Sequence, residues 1–294
     1  MDTVKKFQID KDVVAFIFSI SQWGNRRVAD KGQIESGADK SMLHLTKHLI
    51  DSKEYKAIGT FLYDTKSWVV ARSVPSFFRD GCYLFRLNTV QMVEEYLKTR
   101  QQGLRDVVEA FLNIYPNQIE EARTRLAGQF SDTDYPTIEE LRNMFYWSYQ
   151  WVAFNVPDGL PESVKQAEMS KMQNMWDEAA LSITSALREG FSSLISHAID
   201  KLKPDPDGKV KIFRDTLVTN ILEFLETFNL RNVTSDIELQ QLVEKARLVI
   251  AGIEKAQDLR DNEGLREVVR GQFSEIAAQL DTMVVKRPKR KLDI

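Results

Sequence analysis

A chain of 294 residues, 43% hydrophobic and 28% charged, has the composition of an ordinary globular protein with ample core in one large or two modest domains. A formal charge of −3 argues against a protein that coats nucleic acid with its whole surface, and leaves room only for a local basic patch. No apolar run approaches the roughly 20 residues that span a bilayer, the first residues are too polar for a secretion signal, and one cysteine, Cys82, excludes an internal disulfide framework, so a cytoplasmic protein is expected.

Residues 13–20, Val-Val-Ala-Phe-Ile-Phe-Ser-Ile, form a nearly continuous β-branched and aromatic run, the pattern of a strand buried on both faces. Gln22 to Arg27 comes next as a turn and basic exit. Residues 42–50 and 54–72 predict helices, the second with Tyr55, Ile58, Leu62 and Val69 on one side. Val74-Pro75 demands extended backbone, Arg79-Asp80-Gly81 a turn, and residues 82–87 a second strand. Asn88, with Gln91 three residues on, offers a helix start. That helix should run to Ile114, with Pro116 near the start of another that ends at Gln129. Thr137 with Glu140 marks a further start. Residues 145–154 read as a third strand, whose period of two puts Phe145, Trp147, Tyr149 and Trp151 on one face.

Residues 161–202 carry apolar side chains at Val164, Met172, Trp176, Ala179, Ile183, Leu187, Phe191, Leu194, Ala198 and Leu202, the spacing of one long helix with a buried stripe. At 1.5 Å per residue it would extend roughly 60 Å, a spine for the C-terminal helices. Lys203 to Gly208 is a break. Residues 212–228 predict a helix, Ser235 with Glu238 opens the next, Gly264 interrupts, and Leu265, Val269, Ile276, Leu280 and Val284 close the pattern. The expected fold is mostly α, α+β overall. Its expected parts are an α+β domain with a small sheet over 1–158, a helical bundle on the long helix over 159–285, and a basic tail over 286–294.

Each candidate site carries a plainer alternative. His44 and His48, four apart on a predicted helix, have metal-ligand spacing, with Asp51 or Glu54 as a third ligand. Leu45 stands where a zinc protease needs glutamate, so no metal is assigned. Cys82 opens an apolar strand and reads as core. No GxxxxGK or GxGxxG occurs, which argues against an NTPase. Trp147 and Trp151 could stack bases while Arg26 and Arg27 hold phosphates, although four aligned aromatics are more often core. Lys286, Arg287, Lys289, Arg290 and Lys291 form a basic tail suited to nucleic acid or an acidic partner, or simply to solvent. Met169, Met172, Met175 and Trp176 give the first third of the spine an adaptable surface, a candidate partner groove or oligomer seam.

SVPSFFRDGCYLFRL, then VEEYL, VEAFLNIYP and FSDTDYPTIEELRNMF, resemble in order and pattern a family of uncharacterised bacterial and phage proteins. Members of that family are often encoded beside MoxR-type AAA+ ATPases and von Willebrand factor A-domain proteins. The likeness spans residues 13–157, carries no catalytic signature, and implies a prokaryotic or phage cytoplasm with an ATPase as partner. The reading that results is a non-enzymatic helical adaptor or scaffold, without cofactor, acting through protein contacts and self-assembly. The alternative is a nucleic-acid-binding accessory protein in phage replication, recombination or defence and counter-defence, and a metal-dependent hydrolase centred on His44 and His48 is a distant third.

Overall fold

The computed structural model describes residues 8–35, 37–76, 79–156, 158–204, 215–253 and 256–283. Among them the chain is mostly helical, with a small sheet, as the sequence pattern predicts. The strands are β1 (Val13–Ser21), β2 (Arg26–Val28), β3 (Thr46–His48), β4 (Val74–Pro75), β5 (Cys82–Arg86) and β6 (Tyr146–Val152). The helices are α1 (Lys53–Ala71), α2 (Val90–Leu126), α3 (Ile138–Arg142), α4 (Glu162–Leu202), α5 (Asp215–Arg231), α6 (Ile237–Ile250), α7 (Ala256–Asp261) and α8 (Glu263–Met283). Four strands form an antiparallel sheet in the order β4-β5-β1-β6, and β2 and β3 make a separate antiparallel pair.

Residues 42–50 are not the helix their apolar spacing suggests. Asp39 accepts from Ser41 N at 2.9 Å over a short 3-10 turn, and Thr46–His48 then pairs with Arg26–Val28 in the register Arg26 to His48 and Val28 to Thr46. A nine-residue helix without a packed face is marginal. The hairpin instead satisfies the backbone, and the Asn25 amide closes it by bonding both the N–H and the carbonyl of Ile50.

Pro116 also fails to divide α2, which runs unbroken through it for 37 residues. The proline costs one backbone hydrogen bond. Its own side chain lies exposed, while the buried stripe continues on both sides of it through Val108, Phe111, Leu112, Tyr115 and Ala122. Burying that stripe outweighs a single lost bond. The start predicted at Asn88 falls one residue later, at Thr89, without a side-chain cap. By contrast, Thr137 and Glu140 make the full reciprocal capping box, Thr137 N to Glu140 Oε2 at 2.8 Å and Glu140 N to Thr137 Oγ1 at 3.3 Å.

The chain divides into two compact units, and they interleave in sequence rather than meeting at one boundary near residue 158. One gathers Met1–Ala15, Ala71–Asn88 and Val152–Ile294; the other gathers Phe16–Val70 and Thr89–Trp151. The second unit has an aromatic core in which Trp23, Tyr55, Phe111, Tyr115 and Phe145 meet edge to face at centroid separations of 5.6–6.5 Å. In it Tyr115 Oη donates to Pro136 O, and Tyr135 Oη to Leu49 O, each at 3.0 Å.

In the first unit α4 packs on α5 and α8, and α6 packs on the same two helices. Residues 179–202 supply the buried face of α4, with Ile195 in the stripe beside the half-buried Leu194. Val269, Phe273, Ile276 and Leu280 face inward from α8. A charged pair lies inside this apolar surround. Arg188 grips Asp236 through two bonds, Nε to Oδ2 at 2.6 Å and Nη2 to Oδ1 at 2.9 Å. Asp236 in turn caps α6 by accepting from Leu239 N, and Asn232 Oδ1 accepts from Asp236 N. The cap is therefore Asp236 and not Ser235, whose positive φ of 48° turns the chain into the helix. Arg86 ties β5 to the same corner, bonding Asp10 at 2.5 Å, Asp12 at 3.1 Å and the Asn232 carbonyl.

Candidate functional site

The aromatic strand β6 is divided by its surroundings. Phe145 and Trp147 are buried, the latter 8% exposed, and offer no ring to a base; Tyr149 is 38% exposed and Trp151 half-buried. Both outer rings pack near Phe16, at 5.4 and 4.4 Å between centroids. Both also point their donors at one carboxylate, Tyr149 Oη to Glu94 Oε2 at 2.8 Å and Trp151 Nε1 to Glu94 Oε1 at 2.6 Å. Burial first, and then the hydrogen bond to Glu94 and that carboxylate's charge, raise the Tyr149 phenol. The groove beside them, about 370 Å³, includes Glu94 and Glu95 as well as Lys98 and Arg105. Two carboxylates at the rings disfavour a phosphate chain there.

The two arginines of the basic exit take different roles. Arg27 Nη1 donates to the carbonyls of Gly24 and Arg26, each at 2.9 Å, and its Nε lies 3.7 Å from Asp134. Lys47 Nζ reaches the same Asp134 at 2.7 Å and the Gln129 carbonyl, so Arg27 and Lys47 fasten the hairpin to the loop after α2. The Arg26 side chain is exposed and makes no hydrogen bond or ion pair to any described residue.

His44 and His48 lose their helical geometry, since His48 ends β3 and His44 lies in the irregular segment just before that strand; both are exposed. Among the described residues no three or more His, Cys, Asp or Glu side chains are grouped to hold a metal ion. Cys82 is buried at the start of β5. The basic residues Lys286, Arg287, Lys289, Arg290 and Lys291 lie outside the described residues.

The first part of α4 is the most distinctive surface. No side chain between residues 162 and 178 is buried, although the same face becomes core from Ala179 onward. Val164, Met169 and Met175 are 44%, 55% and 40% exposed, with Met172 and Trp176 half-buried between them. At 100° per residue Met169, Met172, Met175 and Trp176 fall within one stripe that continues onto Ala179 and Ile183. Phe154 meets Trp176 edge-on at 6.5 Å. Local pairs support the helix here: Gln166 to Glu162 at 3.0 Å, Lys171 to Glu168 at 2.6 Å and Gln173 to Asp177 at 2.8 Å. Such pairs contribute only about 0.2–0.5 kcal/mol each, so the segment relies on the packed portion of α4 as its nucleus.

Sequence reasoning missed Glu94 as the acceptor for Tyr149 and Trp151, because the partner sits 55 and 57 residues away on another element. It also missed the burial of Arg188, although Arg188 stands beside Leu187 on the apolar stripe and four residues after Thr184. Among the described residues no helix is long and apolar enough to cross a membrane. Comparison with protein-family models, curated proteins and solved structures finds no match to this chain.

Proposed function

We propose that this chain is a non-enzymatic adaptor or scaffold of a bacterial or phage system, which binds another protein and a second copy of itself through the first part of α4. The observation that carries this reading is the stripe of Met169, Met172, Met175 and Trp176. It is a core-type face, continuous with the bundle interior, for which the described residues supply little cover beyond Phe154. Methionine suits such a face, because its unbranched, polarizable side chain repacks against partners of differing shape. The packed half of α4 holds the stripe in a fixed helical register, so little ordering entropy is lost on docking. The AAA+ ATPase implied by the sequence resemblance is the first partner to test.

Native mass spectrometry of the purified full chain, alone and with that ATPase, tests the reading. A dimer or larger species, or a stoichiometric complex, is expected. The double substitution Met169→Lys/Met175→Lys should reduce it to monomer while leaving the helical content measured by circular dichroism unchanged, because both side chains are exposed in the single chain. A wild-type chain that stays monomeric at high concentration and ignores the ATPase counts against the proposal.

A further inference from the structure

On the second unit, away from the aromatic strand, one cleft of about 750 Å³ opens between the β2–β3 hairpin and the start of α1, with Arg125 of α2 on its rim. Arg26 and His48, cross-strand neighbours in the hairpin, stand on one wall, and Lys56 and Asp51 on another. The volume lies within the ordinary range of small-molecule sites, roughly 300–1,000 Å³.

The polar groups of the cleft floor are spent on one another. Asn25 is fully engaged with the Ile50 backbone, the Tyr55 hydroxyl donates to the Trp23 carbonyl at 2.6 Å, and Ser52 Oγ accepts from Tyr55 N at 3.1 Å. These bonds fix the hairpin and the first turn of α1 against each other, so the wall is built before any ligand arrives. The charges above the floor are not balanced. Lys56 pairs with Asp51 at 2.6 Å and Arg125 with Glu121 at 3.2 Å, whereas Arg26 has no ionic partner among the described residues. Lys56, Arg125 and His48 all act on the Asp51 carboxylate and hold it below the usual carboxylate range. The cleft therefore already stabilises one negative charge and presents an unanswered guanidinium beside it. A planar guanidinium with a free fork is the side chain best shaped for a phosphoryl group.

We infer that this cleft binds a small phosphorylated ligand, with Arg26 as its principal contact, Lys56 and Arg125 as supporting cations, and Asp51 as the group that limits its affinity. The inference is independent of the docking face on α4, which lies in the other unit.

Inorganic pyrophosphate serves as the probe, titrated calorimetrically into the full chain at low salt. Saturable 1:1 binding that weakens as salt is raised is expected. Arg26→Gln should lower the affinity at least about fivefold, and Asp51→Asn should raise it by a similar factor, since each changes one unit charge at close range in partly exposed surroundings. Arg105→Gln, in the groove beside Tyr149, should leave it unchanged. The opposite signs at Arg26 and Asp51 separate a site from general damage, and the exposure of both residues lets the variants fold. Absence of saturable binding, or indifference to both substitutions, overturns the inference. Tighter binding of a single-stranded oligonucleotide that is lost with the same variants overturns the small-ligand assignment in favour of a nucleic-acid track.

Discussion

Asp236 does two jobs with one carboxylate. It caps α6 and it is the closest counter-ion of Arg188, whose guanidinium also reaches Glu238 and the Met283 carbonyl, each at 3.2 Å. Breaking a buried pair on one side leaves the other ion uncompensated, which costs about 3–5 kcal/mol. Asp236→Asn preserves shape and cap and leaves Glu238 facing Arg188, so its cost should lie below that figure and should fall further when Arg188→Met is added. Urea unfolding of the two single variants and the double variant measures this coupling. Tyr115 and Tyr135 make a second residue-scale case. Burial raises both phenols, and with the help of the Asp134 charge Tyr135 is pushed up to about 12. A phenol whose folded value exceeds its unfolded value of about 10 stabilises the fold fully below that pH. The contribution is lost as pH rises from 10 through 12, when ionisation destroys the hydroxyl donors to Pro136 and Leu49. Thermal midpoints of the wild type should therefore drop over this window, and those of Tyr115→Phe/Tyr135→Phe should begin lower and fall less steeply.

At the level of the element, two helical glycines should answer opposite ways to the same change. Gly190 of α4 has open space where a methyl group would go, so Gly190→Ala should add about 0.5–1 kcal/mol through helix propensity alone. At Gly103 of α2 a Cβ would stand 2.8 Å from Phe61 Cζ, and that ring is pinned beneath the Arg100 guanidinium at 3.6 Å. Gly103→Ala should lose stability despite the same propensity gain, and differential scanning calorimetry of both variants checks the pair of signs. Elements of this length were legible in the sequence because their stripes repeat many times: α4 and α8 declare themselves in every turn. Residues 42–50 were not, since nine residues fit two periods, and the deciding partner, Arg26–Val28, lies far upstream. The Pro116 boundary misled for a related reason. A local rule about one missing N–H took no account of the buried stripe extending past it. Of the candidate sites, the methionine stripe was readable from spacing, while the cleft around Arg26 was not, because its walls come from three elements that only folding brings together.

For the molecule as a whole, interleaving decides what can be cut. Sequence composition suggests that residues 1–158 are a domain, yet β5 belongs with the helical unit. Its outer neighbours include α5, and Arg86 bonds the Asn232 carbonyl across an interval of 146 residues. The chain before β1 joins the same unit, with Asp10 N donating to Val233 O at 2.9 Å and Ser235 Oγ to Asp10 at 2.7 Å. A fragment ending at residue 158 removes every one of these partners. It strands Arg86 without Asn232 and Ser235, and it takes away α5 from beside β5, whose Cys82, Leu84 and Phe85 are all at or below 2% exposure in the full chain. The aromatic core of the second unit survives the cut intact, so secondary structure should persist while the cooperative transition broadens and shifts to lower temperature. Circular dichroism and hydrophobic-dye binding of the 1–158 fragment beside the full chain would register this. A sharp melt at the full-chain temperature without dye binding would mean that β5 and the preceding segment are stable without the helical bundle, and that the contacts around Arg86 contribute nothing to holding the molecule together.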